Sequence, residues 1–176
     1  LPFKNDFRNL RVSDPYQVFE AFDVGTNNDD VEGIIIDTVT FLMDMFESQY
    51  VITATNTMQA WGQYAQFFKE LMQQKVVLFG KPVIVLAHVL DTYNEAALEM
   101  NTSVPIKGSL KNNGIEAYFS TVVHAERVPL KSLEPYNNNL LTISEDEEML
   151  GFKHVFQTRP TKQTTGKRIR SPMGLF

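Results

Sequence analysis

The sequence predicts an α/β fold in which helices flank a mostly parallel sheet. Two apolar runs, at 33–37 and 83–88, are rich in Val and Ile, which is typical of strands buried on both faces of a parallel sheet. Between them, large apolar residues recur at helical spacing over 57–77. A strand, a helix and a second strand in this order are the signature of a βαβ unit.

The first part of the chain alternates between short apolar segments and polar ones. Residues 7–12 are predicted to form a short strand, and 13–22 a helix. That helix opens on Ser-Asp-Pro, which supplies a capping side chain and a proline in the first turn. Residues 23–32 are polar and predict a loop, and 38–50 have a helical pattern.

The second part of the chain has weaker signals. Residues 89–114 are rich in Asn, Gly, Ser and Lys and predict a long loop, which is usually functional or disordered when it lies within a domain. Strands are predicted at 115–128 and 152–158, with a short strand at 140–144. The acidic residues 145–148 predict a solvated turn.

Composition indicates an ordinary globular protein. The 176 residues are 43% hydrophobic and 21% charged, which suits one domain over 1–176. The absence of cysteine excludes disulfides and thiolate metal sites, and the three histidines are too scattered to suggest zinc. No apolar run of about 18 residues or signal peptide is present, which predicts a cytoplasmic protein that does not insert in membranes.

The net charge of −5 hides an uneven distribution. Residues 1–50 hold ten acidic and three basic side chains. Residues 153–176 hold no acid, and their six bases are Lys153, Arg159, Lys162, Lys167, Arg168 and Arg170. Such a basic end is either a solvated tail or a local binding site for nucleic acid or phosphate.

Two polar residues end the predicted buried strands, and ligands of open α/β sheets bind beyond such strand ends. Asp37 could hold Mg²⁺ directly or through water, or it could cap the helix that follows. His88 could hydrogen-bond a γ-phosphate or its attacking water, or it could be held by neighbouring backbone. We expect the two residues to lie at one edge of the sheet.

The order of these segments resembles the core of phage RecA-like P-loop ATPases that act in single-strand annealing and recombination. Gly-Ile-Ile-Ile-Asp-Thr-Val-Thr at 33–40 resembles their Walker B strand, and 61–71 the helix after it. Val-Ile-Val-Leu-Ala-His at 83–88 resembles their sensor strand. Residues 105–111 resemble the second DNA-binding loop, and the basic end a terminal antiparallel hairpin. The resemblance covers roughly residues 30–175.

The resemblance implies a homo-oligomer that binds ATP and Mg²⁺ in the cytoplasm of a bacterial host. Asp37 and Thr38 would contact the cofactor, with Asp37 holding Mg²⁺ through water. The implied catalytic residues are His88 and, acting on the ATP of a neighbouring subunit, Arg159 and Lys167. The implied DNA-binding residues are Lys107, Lys111, Arg168 and Arg170. The expected partners are single-stranded DNA and a single-strand-binding protein; which basic residues serve DNA and which serve ATP stays open.

One motif of the family does not occur in these 176 residues. No Gly-x-x-x-x-Gly-Lys-[Ser/Thr] phosphate-binding loop is present, and the resemblance places it upstream of residue 1. Two functions therefore remain as expectations. The first is an ATP-hydrolysing recombination or annealing protein, and the second is a RecA-fold DNA-binding or structural module that does not hydrolyse ATP.

Overall fold

The computed structural model of the chain is a mixed α/β structure with small sheets. Its described part contains seven α-helices and six strands. The strands form three two-stranded sheets, one of which is parallel. The structure describes residues 7–96, 98–136, 138–161 and 164–171. Within these ranges the parallel pairing is limited to two strands, so the predicted mostly parallel sheet is found only in part.

The chain forms two compact units, and each is assembled from two separate stretches. Leu1–Leu90 and Val104–Tyr118 form the first, which we call the helical unit. Asp91–Ser103 and Phe119–Phe176 form the second, which we call the hairpin unit. The single ATPase core expected over 1–176 stays a prediction.

Among its described residues, the helical unit contains five α-helices and two strands. Their bounds are α1 Gln17–Thr26, β1 Ile34–Ile36, α2 Val39–Phe46, α3 Thr57–Glu70, α4 Val76–Phe79, β2 Val83–Val85 and α5 Leu110–Asn113. Side chains cap two of these helices, because the first amide groups of a helix have no partner inside it. The Thr38 hydroxyl accepts a hydrogen bond from the N–H of Phe41, and the Asn56 side chain accepts one from the N–H of Gln59.

The longest helical segment runs without a break from α3 to α4. A wide π-type turn, Leu71–Lys75, joins the two helices. The segment ends at Gly80, whose φ of 63° lies in the left-handed region that closes many helices and favours glycine. The helix predicted over 57–77 is therefore confirmed.

Aromatic side chains dominate the core of the helical unit. The rings of Phe46 and Phe67 pack with centroids 4.9 Å apart, and Phe67 also meets Phe19 at 5.1 Å and Tyr16 at 5.3 Å. Such ring pairs add to the hydrophobic stabilisation that each ring gains from burial. Helices α1, α2 and α3 are joined by this cluster.

Strands β1 and β2 pair in parallel, with Ile34 opposite Val83 and Ile36 opposite Val85. One face of the pair is covered, since Ile36 is buried. The other face is open in the described part of the chain, because Ile35 is 47% and Ile84 55% exposed. The prediction that these strands are buried on both faces is therefore wrong within the described residues, where no further strand or helix covers the second face.

In the residues that the structure describes, the hairpin unit contains four strands and two short α-helices. Their bounds are β3 Leu90–Asn94, β4 Glu99–Ser103, β5 His124–Pro129, α6 Leu130–Leu133, α7 Glu145–Leu150 and β6 Phe152–Gln157. Strands β3 and β4 form one two-stranded sheet, and β5 and β6 form another that is antiparallel. Antiparallel strands are therefore present in this part of the chain, but the hairpin expected within the basic end is not found among the described residues. Strand β6 pairs with β5 instead, and Lys167 and Arg170 form only isolated bridges, to Thr102 and Val122.

Several predicted elements differ from the observed ones. Residues 7–12 have no regular structure instead of a strand. Within 89–114, the predicted loop contains β3, β4 and α5. The strand predicted over 115–128 begins only at His124, because Ile115–Tyr118 forms a 3-10 turn that buries Ile115.

Residues 140–148 also depart from their prediction. The predicted strand at 140–144 is absent, and the predicted turn at 145–148 is the start of α7. Ser144 and Glu147 form a capping box, in which each side chain accepts a hydrogen bond from the other residue's backbone N–H. This reciprocal pair explains why an exposed acidic segment is helical.

Candidate functional site

The two strand-end residues predicted for the site, Asp37 and His88, follow neighbouring parallel strands. Since β1 and β2 run in the same direction, Asp37 and His88 both lie beyond the carboxyl edge of the pair. Backbone hydrogen bonds continue past the strands: the N–H of Leu86 donates to Ile36 O, and the N–H of Val39 donates to Leu86 O, each at 2.9 Å. This edge brings together the residues that the sequence singled out.

The first turn of α2 fixes the position of His88. The backbone N–H of His88 donates to the hydroxyl oxygen of Thr40 at 3.0 Å, and Thr40 is buried. The His88 ring meets the ring of Phe41 edge-on, with centroids 5.0 Å apart, although Phe41 is itself 62% exposed. The imidazole is exposed at the strand edge and can reach a ligand there.

Asp37 is exposed, and it is not the residue that caps α2. That role belongs to Thr38, whose hydroxyl accepts the Phe41 N–H at 3.3 Å. The Asp37 carboxylate is therefore not required to stabilise the helix start. The peptide bond between Asp37 and Thr38 is cis. The Thr38 hydroxyl already accepts one hydrogen bond at the helix start. Thr38 could therefore contact a cofactor only through its O–H group or the second lone pair of its oxygen.

The chemistry open to this edge is that of one carboxylate and one imidazole. Across the described residues, no group of three or more His, Cys, Asp and Glu side chains could hold a metal ion. A Mg²⁺ ion at Asp37 would thus take its other oxygen ligands from water or phosphate, which is how Mg²⁺ is usually held beside nucleotides. The described residues at this edge therefore offer one exposed carboxylate and no closed protein cage for a metal ion.

The predicted DNA-binding lysines of the helical unit lie on an anchored segment. Ile106 and Leu110 are buried, which anchors the segment, and α5 interrupts the long loop predicted over 89–114. The ammonium of Lys107 pairs with Glu47 at 2.6 Å, and Lys111 is exposed on α5. The N–H of Lys107 also points to the hydroxyl of Tyr64 at 3.5 Å, and burial raises the pKa of Tyr64 to about 12.

The basic residues at the chain end are separated by their environments. Lys167 is mostly buried and pairs with Glu126 at 2.6 Å, and its ammonium also donates to the side-chain oxygen of Gln157 at 2.9 Å. Arg170 bridges to Val122 through its backbone. Arg159 and Arg168 are exposed. Lys162 lies outside the described residues.

The structure adds two residues that the sequence did not single out, Thr40 and Phe41. Both lie in the first turn of α2 and contact His88, the first through its hydroxyl and the second through its ring. Their contact with His88 depends on the pairing of β1 with β2, whose partners Ile34 and Val83 are 49 residues apart along the chain. The sequence therefore gives no signal for it beyond their position three and four residues after Asp37.

Replacing Thr40 with Val tests how His88 is held. We expect the His88 amide to exchange its hydrogen with solvent roughly five- to tenfold faster, because the variant cannot form one hydrogen bond of about 1 kcal/mol. Amide exchange followed by NMR measures this. Thr40→Ser keeps the hydroxyl and should keep the protection, whereas unchanged exchange in the Val variant would show that Thr40 does not hold His88.

Comparison with known proteins gives no relative. No protein family, no curated protein and no solved structure matches this chain. In the described part of the chain, no helix is both long and apolar enough to cross a membrane.

Proposed function

We propose that this chain belongs to an ATP-dependent DNA recombination or single-strand-annealing protein of the phage RecA-like type, which acts as an oligomer. One observation carries the proposal: Asp37 and His88 follow adjacent parallel strands and share one edge. P-loop ATPases need a carboxylate and a polar side chain on neighbouring strands at that edge. The RecA-like arrangement of the full sheet is part of the proposal.

Each side chain of the edge has a role in this proposal. Asp37 holds Mg²⁺ through water, and Thr38 contacts the same cofactor. His88 hydrogen-bonds the γ-phosphate or orients the attacking water, a task suited to an exposed imidazole on a residue whose backbone N–H is held by Thr40. ATP would bind between subunits, where exposed Arg159 could reach the phosphate of a neighbour. Lys167 is less suited to that role, since it is already paired with Glu126.

The partners proposed are single-stranded DNA, further copies of the chain and a single-strand-binding protein, in the cytoplasm of a bacterial host. Mg²⁺-dependent ATP turnover of the complete protein, with and without single-stranded DNA, tests the proposal. We expect turnover that rises with DNA. DNA binding without any turnover would instead favour a non-catalytic RecA-fold module, which agrees with the absence of a phosphate-binding loop from these 176 residues.

Removing the charges of Lys107 and Lys111 tests the proposed DNA contacts of the helical unit. In a double Ala variant, we expect the slope of log K against log salt to fall by about 0.7 for each phosphate of single-stranded DNA that is no longer neutralised. Titrations at several salt concentrations measure the slope. Lys131→Ala removes an exposed lysine on α6 of the hairpin unit and should leave the slope unchanged. An unaltered slope in the double variant would remove both lysines from the DNA surface.

A further inference from the structure

The β5–β6 ribbon has two faces of different chemistry. The strands pair from His124 opposite Gln157 to Pro129 opposite Phe152, so alternate residues point to opposite faces. One face carries Glu126, Val128, Lys153 and Val155, which are all partly buried. The other face consists of Ala125, Arg127, Pro129, Phe152, His154 and Phe156, and we call it the aromatic–basic face.

Charges on the partly buried face are neutralised within the hairpin unit. Glu126 pairs with Lys167, and Lys153 pairs with Glu147. The hydrogen bond from Lys153 lowers the pKa of Glu147, which keeps that carboxylate ionised in the pair. This face is therefore occupied by structural contacts and is not available to a ligand.

The aromatic–basic face is exposed and carries no acidic side chain. Phe156 is 73% exposed, although a large aromatic ring gains free energy when it is buried. The guanidinium of Arg127 lies over the ring of Phe152, 4.9 Å from its centroid, and His154 meets the same ring edge-on at 5.6 Å. The face thus offers one open ring and one ring already covered by a planar cation.

We propose that the aromatic–basic face binds single-stranded DNA by stacking bases on Phe156 and on the Arg127 guanidinium that lies over Phe152. Every base has a flat π-face, so aromatic rings and guanidinium groups bind bases with little sequence preference. The site deepens the proposed DNA-binding function and rests on it. It differs from the basic residues discussed above, because it contacts bases as well as neutralising phosphate charge.

The charge and the spacing of the rings on this face are complementary to a single-stranded nucleic acid. Phe152 and Phe156 are four positions apart on β6, which places the two stacking positions about 13 Å apart along the strand. Arg127 adds a positive charge between aromatic groups, with no carboxylate on the same face to neutralise it. This positive charge is complementary to the phosphates that flank each stacked base, and the face has no carboxylate that would repel them.

The test compares Phe156→Ala with Met149→Ala in the full protein. Met149 is 86% exposed on α7, so its variant removes a comparable exposed apolar side chain from the same unit. Binding of a fluorescent deoxythymidine oligomer is measured beside an abasic oligomer of equal length, which has phosphates but no bases. We expect Phe156→Ala to weaken binding of the first oligomer roughly 5- to 100-fold, and binding of the abasic one by less than about twofold.

Arg127→Ala supplies an independent readout. It should weaken binding of the base-containing oligomer and also lower the salt slope by about 0.7, because it removes a cation as well as a stacking plane. Met149→Ala should change neither value. Each substitution replaces an exposed side chain, so we expect the fold to stay intact. Circular dichroism of each variant checks this.

Three results would overturn the proposal. If the unaltered protein does not bind the oligomer at all, the proposed DNA-binding function fails together with this site. If it binds and Phe156→Ala binds equally well, only this site fails. If the Phe156→Ala variant keeps its DNA affinity but its protein assembly dissociates in sedimentation analysis, the face joins copies of the chain instead.

Discussion

Replacing Asp37 with Asn in the complete protein is expected to lower Mg²⁺-dependent ATP turnover by about 100-fold or more. The substitution keeps the size of the side chain and removes the charge that would hold the metal ion. A bound metal ion stabilises the charge of a transition state by several kcal/mol, and about 1.4 kcal/mol corresponds to a tenfold change in rate. The fold should be unaffected, since Asp37 is exposed and Thr38 is the residue that caps α2. Steady-state phosphate release measures the effect.

Glu32→Gln provides the control for this prediction. Glu32 is an exposed acid near the opposite end of the same strand, so its variant makes the same charge change away from the proposed site. We expect that variant to retain its turnover. Near-normal turnover in Asp37→Asn, with binding of Mg²⁺ and ATP also retained, would show that Asp37 does not serve the metal.

Replacing Phe68 with Ala is expected to have the largest effect on stability, lowering the free energy of unfolding by about 3–5 kcal/mol. Phe68 is completely buried on α3, and its ring meets that of Tyr118 edge-on at 5.3 Å. The substitution removes the transfer free energy of the ring and leaves a cavity whose walls have no packing partner. Denaturant unfolding followed by circular dichroism measures the change.

Met58→Ala is the matched control on the same helix. Met58 is 84% exposed, so its variant should change the free energy of unfolding by less than about 0.5 kcal/mol. A decrease below about 1 kcal/mol for Phe68→Ala would mean that the core closes around the missing ring, or that α3 does not pack as described.

The elements predicted correctly are those in which apolar residues recur at a regular spacing and are all buried on one face. The helix over 57–77 was predictable because Tyr64, Phe68 and Leu71 recur at helical spacing and all face the core. Strands β3 and β4 were not, since most of their residues are polar and only Thr102 among the ten is buried. A hydrogen bond from the Thr102 hydroxyl to Asp91, at 2.5 Å, joins them across 11 residues and leaves no periodic pattern.

The candidate site was predictable only where strand order determines it. Asp37 and His88 could be placed together because adjacent parallel strands end at one edge. The contact between His88 and Thr40 could not, since it depends on how α2 begins relative to β2. The sequence contains a Ser-x-x-Glu capping-box pattern at Ser144, which is typical of a helix start. The acidic composition of 145–148 favoured a solvated turn instead, so α7 was not predicted.

The interleaved path of the chain means that neither unit exists as a contiguous module. The helical unit is left at Leu90 and re-entered at Val104, and its second stretch supplies the buried side chains of Ile106, Leu110 and Ile115. A fragment that stops at Leu90 would therefore lack part of its own interior. Dividing the gene after Leu90 would split the helical unit, and dividing it after Tyr118 would split the hairpin unit, so no single cut yields two intact halves.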